Sequence, residues 1–109
     1  MNDRELLELA AKAAGLSVIH DAGERGIWVA GLEDEWNPLT DDGDALRLAV
    51  MCDVDFYFAE DDVMNAYAGY HTGPNSPMRY CIEPLGTDPC AATRRAIVRA
   101  AAEIGKAMK

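Results

Sequence analysis

The stretch WNPLTDDGDALRLAV, residues 36–50, decides how the chain is read. It leads an acidic, proline-containing loop into a run of helix formers. The change falls within Thr40-Asp41-Asp42-Gly43-Asp44, where one aspartate can cap a helix and the others favour its positively polarised start. From there to about Cys52, Ala45, Leu46, Ala49 and Val50 have the spacing of one buried stripe. Upstream, residues 32–44 contain six acids and Pro38, a loop composition. Downstream, Asp53-Val54-Asp55-Phe56-Tyr57-Phe58 changes to period two, with Val54, Phe56 and Phe58 on one side.

Two further strand-like runs follow, residues 63–70 and 78–83, around turns at Glu60-Asp61-Asp62 and at residues 71–77. In the second run Met78, Tyr80 and Ile82 share one side, and Arg79, Cys81 and Glu83 the other. Three strands in succession predict an antiparallel meander. Towards the N-terminus, Asp3 is a plausible cap for a helix over residues 4–14. Leu6, Ala10 and Ala13 lie beside Leu7, Ala11 and Ala14 on its apolar face, and Gly15 stops it. Residues 16–20 and 26–31 predict a hairpin around Asp21-Ala22-Gly23-Glu24-Arg25, with Ile27 and Val29 on one side and Trp28 and Ala30 on the other. Asp88-Pro89 opens a last helix running to near Lys109, with Ile97, Ala101, Ile104 and Met108 as its stripe, widened by Val98 and many alanines. The expected fold class is α+β, in the order α-β-β-α-β-β-β-α, within one domain over residues 1–109.

Half of the 109 residues are hydrophobic, which excludes a disordered composition. The net charge of −9 disfavours nucleic-acid phosphate as a generic partner. The charge is uneven. Residues 1–88 carry 18 acids and 5 bases, whereas residues 89–109 carry 5 bases and 1 acid, so an acidic body bears a basic last helix. No apolar run approaches the roughly 20 residues that span a bilayer, and MNDRELLELAAKAAG lacks the pattern of a signal peptide. A cytoplasmic protein without membrane contact is expected, and its three cysteines, Cys52, Cys81 and Cys90, are expected to be reduced.

DRELLELAAKAAG, WNPLTDDGDALRLAV and AATRRAIVRAAAEIGKAM together resemble the phage ABA sandwich domain family. The three blocks span both ends and the middle of the chain. The resemblance implies a three-layer α/β/α sandwich with a mainly antiparallel sheet of about five strands, and a phage or prophage origin in a bacterial cell. It supplies no catalytic residue and no established activity.

The candidate chemistry is sparse. Asp41, Asp42 and Asp44, with Glu33, Asp34 and Glu35 nearby, supply oxygen ligands but lack the alternation of a calcium loop, so helix capping is the preferred reading and no metal site is assigned. His20, His71 and the three cysteines match no zinc spacing. Arg94, Arg95 and Arg99 put charge on the last helix; Arg95 and Arg99 share a face that can meet phosphate but can equally pair with the chain's own carboxylates, which is the preferred reading. Trp36 is either an exposed anchor for a partner or a lid on the core. No catalytic motif is present. The binding candidates are therefore Trp36, Asp41, Asp42, Asp44, Arg95 and Arg99, with no catalytic residue, metal or cofactor. The expected function is a non-enzymatic phage accessory protein that binds a protein partner or a second copy of itself. Two alternatives are a counter-defence protein using its acidic surface, and a small-ligand binder using a cleft between the acidic loop and the arginine helix.

Overall fold

Helix formation begins one residue earlier than the sequence predicts. The structure, a computed structural model, describes residues 2–20, 26–32 and 34–108. Helix α1 (Asp3–Ala13) is capped by Asn2, whose Oδ1 accepts from the Glu5 N–H at 2.8 Å. Asp3, expected as the cap, lies in the first turn and pairs with Arg95 instead. The helix stops as expected at Gly15, with φ of 75°. The Gly15 N–H donates to the Lys12 carbonyl and the Leu16 N–H to that of Ala11, the paired bonds of a left-handed helix end.

Strands β1 (Val18–His20) and β2 (Trp28–Val29) pair antiparallel and form the expected hairpin; its turn at residues 21–25 lies outside the described residues, as does Glu33. Ile27 and Val29 point into the core. Helix α2 (Asp42–Cys52) follows its cap Asp41 and ends on Asp53, which holds a left-handed φ of 55°. Its buried stripe differs from the expected one. Ala45 and Ala49 are buried with Leu48, whereas Leu46 and Val50 are exposed. Strands β3 (Asp55–Glu60), β4 (Met64–Tyr70) and β5 (Arg79–Pro84) make the antiparallel meander, in register Phe56 to Ala68 to Cys81 and Tyr57 to Tyr67 to Ile82. The five expected strands thus divide between a two-stranded and a three-stranded sheet.

Helix α3 (Pro89–Ala107) carries Pro89 in its first turn, and the Asp88 carboxylate accepts from the Ala91 N–H at 3.0 Å. The expected stripe, widened by Val98 and the alanines, forms at Ile97 and Ala101 but loosens at its end, where Ile104 is half-buried. Ala96, Ile97, Val98, Ala100, Ala101, Ala102 and Gly105 are all buried, while Met108 is exposed. Burial at consecutive positions means that the helix is enclosed on most sides. It packs against α1, α2, β4 and β5. Ala66, Ala68 and Cys81 meet it from one face of the three-stranded sheet, and the other face, bearing Tyr57, Tyr80 and Ile82, is open to solvent. Among the described residues, no helix is long and apolar enough to cross a membrane.

Two substitutions test these contacts by urea unfolding. A Cβ at Gly105 would lie 2.0 Å from the Leu9 carbonyl oxygen, so Gly105→Ala must push α1 from α3. It is expected to destabilise by about 1–3 kcal/mol, outweighing the roughly 1 kcal/mol that Ala gains in helix propensity. Asp53→Gly is expected to stabilise by about 1 kcal/mol, because glycine accepts a left-handed φ at no steric cost. An unchanged midpoint for either variant would refute the corresponding contact.

Candidate docking surface

The residues singled out from the sequence are tied into the fold. Trp36 is 4% exposed and exchanges two backbone hydrogen bonds with Ile27, its N–H donating at 2.8 Å and its carbonyl accepting at 3.1 Å. It is a lid on the core. The Asp41 carboxylate accepts from the Asp44 N–H at 2.8 Å, closing the first turn of α2. Asp44 uses one oxygen for the Asn37 N–H and the other for Arg47, at 3.0 and 2.8 Å. Asp42 pairs with Arg94 at 2.6 Å, while the Arg94 Nε donates to the Leu39 carbonyl at 2.8 Å. Arg95 reaches Asp3 at 3.2 Å, and Arg99 binds Glu83 and the Ile82 carbonyl. The three arginines of α3 thus reach three different elements, α2, α1 and β5.

The acidic loop borders a polar groove of about 730 Å³ lined by Asp34, Glu35, Asp41, Asp44 and Arg47. Two of its carboxylates already hold the helix cap and the loop, which is a structural assignment for them. Among the described residues, no three His, Cys, Asp or Glu side chains are placed to hold a metal ion. The His20 side chain lies outside the described residues, and the His71 Nδ1 is 3.0 Å from the Ser76 carbonyl within its own loop.

A cleft does form where α2 meets α3, but its walls are apolar. It holds about 220 Å³ between Leu46 of α2, Phe56 and Phe58 of β3, and Pro89, Cys90 and Ile97 of α3, with Asp42 and Arg94 also lining it. This is smaller than the usual range of small-molecule pockets, about 300–1,000 Å³. Its walls are also unusually open. Both phenylalanines of the chain line it, Phe56 at 41% and Phe58 at 54% exposure, beside Leu46 at 55%. Val50, one turn on from Leu46 along the same side of α2, is 74% exposed.

On the opposite face of the sheet, Tyr57 stacks on Tyr67 with ring centroids 5.1 Å apart, and Tyr80 meets both edge-on at 6.2 and 6.3 Å. Crowding desolvates the Tyr57 hydroxyl and, with neighbouring Tyr80 and Tyr67, raises its pKa above the usual tyrosine value. The sheet therefore presents aromatic side chains on both sides of β3. Sequence reasoning missed this surface. The period-two alternation of residues 53–58 does place Tyr57 opposite Phe56 and Phe58, but nothing local indicates that neither face is fully covered. No protein-family model, curated protein or solved structure matches the chain.

The thiols give a pH test of the packing. Desolvation raises the Cys52 pKa from 9.0 to about 11 and also raises that of Cys81, against the lowering effect of Arg99. The unfolded chain loses these protons first, so the stability they contribute is present below about pH 9 and is lost as pH rises towards about 11. The urea midpoint is expected to fall over that window, and Cys52→Ala should flatten the fall. An identical pH profile for the variant would refute burial of that thiol as its cause.

Proposed function

We propose that this chain is a phage or prophage accessory protein that acts by binding another protein through the exposed surface around β3. The placement of its aromatic residues carries this reading. Large apolar side chains are the first to be buried in a folded domain, yet both phenylalanines and Tyr57 stand on one exposed strand. Exposed apolar area of this kind, which Leu46 and Val50 of α2 continue beside the phenylalanines, marks interaction surfaces. The phage origin rests on the resemblance of the three sequence blocks. The proposed activity is binding, because the polar residues singled out from the sequence serve as helix caps and ion pairs between elements.

A second reading, inhibition of a host factor through the acids of the same region, is favoured by seven acids against one base between Asp42 and Asp62. Salt separates the two. Apolar docking is weakened but not abolished by a rise in ionic strength, whereas capture by charge alone is lost at high salt. Tagged wild-type chain is expected to retain a specific protein from bacterial host extract at both low and high salt, and Phe58→Ser to lose it. Retention of the same proteins by the variant would sink the proposal.

A further inference from the structure

We infer that the free edge of β3 takes up an extended segment of a partner protein, with apolar side chains at its centre and lysine or arginine at both ends. This rests on the binding reading above and adds the chemistry of the partner. The strand order is β3-β4-β5, so among the described residues no strand pairs with the outer edge of β3. That edge is six residues long, DFYFAE, without the lysine, proline or bulge that commonly blunts an edge strand. An added strand satisfies the row of backbone N–H and carbonyl groups that such an edge presents. Successive side chains of the added strand alternate between faces. Every second one reaches the apolar cleft beside Phe56 and Phe58, and the others run beside Tyr57.

Charge decides which segment fits. Asp53 and Asp55 stand at one end of β3, and Glu60, Asp61 and Asp62 at the other; all five are exposed. None of them forms an ion pair with a described residue, whereas Arg47, Arg94, Arg95, Arg99 and Lys106 are each paired with other acids. A second copy pairing through its own β3, in either direction, sets acid against acid at both ends. Like charges held opposite one another across paired strands destabilise. A segment with basic ends finds a carboxylate cluster at each, and the complementarity fixes its register along the strand.

The test uses the whole chain and labelled peptides of about nine residues, a strand length matching β3 with its flanks. One has an alternating valine and phenylalanine centre with lysines at both ends, and a second has the same centre with glutamates. Two more are the lysine peptide N-methylated at alternate amides, in each of the two possible registers. By fluorescence anisotropy the lysine peptide is expected to bind, and to weaken about tenfold between roughly 0.05 and 0.5 M salt. The glutamate peptide should not bind. One N-methylated register should lose affinity at least about tenfold, as expected when ladder hydrogen bonds are removed. Phe58→Ser should lose binding, a paired Asp61→Lys and Asp62→Lys variant should weaken it, and Met108→Ser, an exposed apolar position outside this surface, should leave it unchanged. Equal binding of the two peptides, insensitivity to N-methylation, or a dimer dissociated by Phe58→Ser would overturn the inference. If the peptides fail but Phe58→Ser still loses a protein from host extract, the binding reading stands and the strand-addition inference falls.

Discussion

The approach of α3 to α1 at Gly105 sets the geometry of everything else. The Gly105 Cα lies so close to the Leu9 carbonyl that no side chain fits between the helices. Such an approach needs small residues along the contact, and the buried positions of α3 are mostly alanine. Helix axes that come this close gain dispersion contacts along their length in place of the larger burial that leucine or phenylalanine would give. The same small surface faces the sheet, where Ala66 and Ala68 of β4 are fully buried. A helix enclosed in this way can hold α1, α2 and the meander at once, and its arginines mark the three attachments at Asp3, Asp42 and Glu83. The basic last helix is thereby the internal counter-charge of the acidic body. An exposed pair such as Arg95 with Asp3 is worth at most about 1 kcal/mol, so it orients the elements more than it binds them.

A core made of small side chains has little room for aromatic ones. The largest fully buried side chains are Ile27, Leu48, Val29, Val98 and Pro38. Trp36 and Tyr70 are buried, but both phenylalanines and two tyrosines of the sheet stay largely outside. The tyrosines partly shield one another by stacking. Among the described residues the phenylalanines stack on no other ring, and Leu46 and Val50 of α2 extend the same apolar surface. The tight internal packing and the exposed outer surface are two sides of one constraint, and function is most economically placed on the second.

Much of the fold is legible in the sequence because it is written in local chemistry. Gly15, Asp88 and one of the aspartates at 41–44 mark helix ends through backbone hydrogen bonds that need no tertiary partner, and the structure uses Gly15, Asp88 and Asp41. The alternation that places Tyr80 and Ile82 against Cys81 survives, with Cys81 inward. What fails is the choice between adjacent faces. In α2, apolar residues at 45, 46, 48, 49 and 50 allow two overlapping stripes, and only the position of α3 selects Leu48 over Leu46 and Val50. The cap of α1 fails for a similar reason. Asn2 and Asp3 are both competent, and the distant Arg95 draws Asp3 into an ion pair. The polar candidates follow the same logic. Polar residues stand out in a sequence, but Trp36, Asp44 and Arg99 are spent on closing the fold. The exposed surface consists of residues that read as core.

The carboxylates bear on the same strand. An apolar edge strand in a marginally protected domain invites pairing with its own kind. Acids at both ends of β3 oppose that pairing in either direction, since each end then meets another acidic end. The repulsion does not depend on burying the charges, so it acts during approach, before the apolar residues touch. A hydrophobic partner without charge meets neither barrier nor help, and one with basic ends is drawn in. In the proposed strand addition, acids at the two ends of β3 would disfavour self-pairing and favour a segment with basic ends.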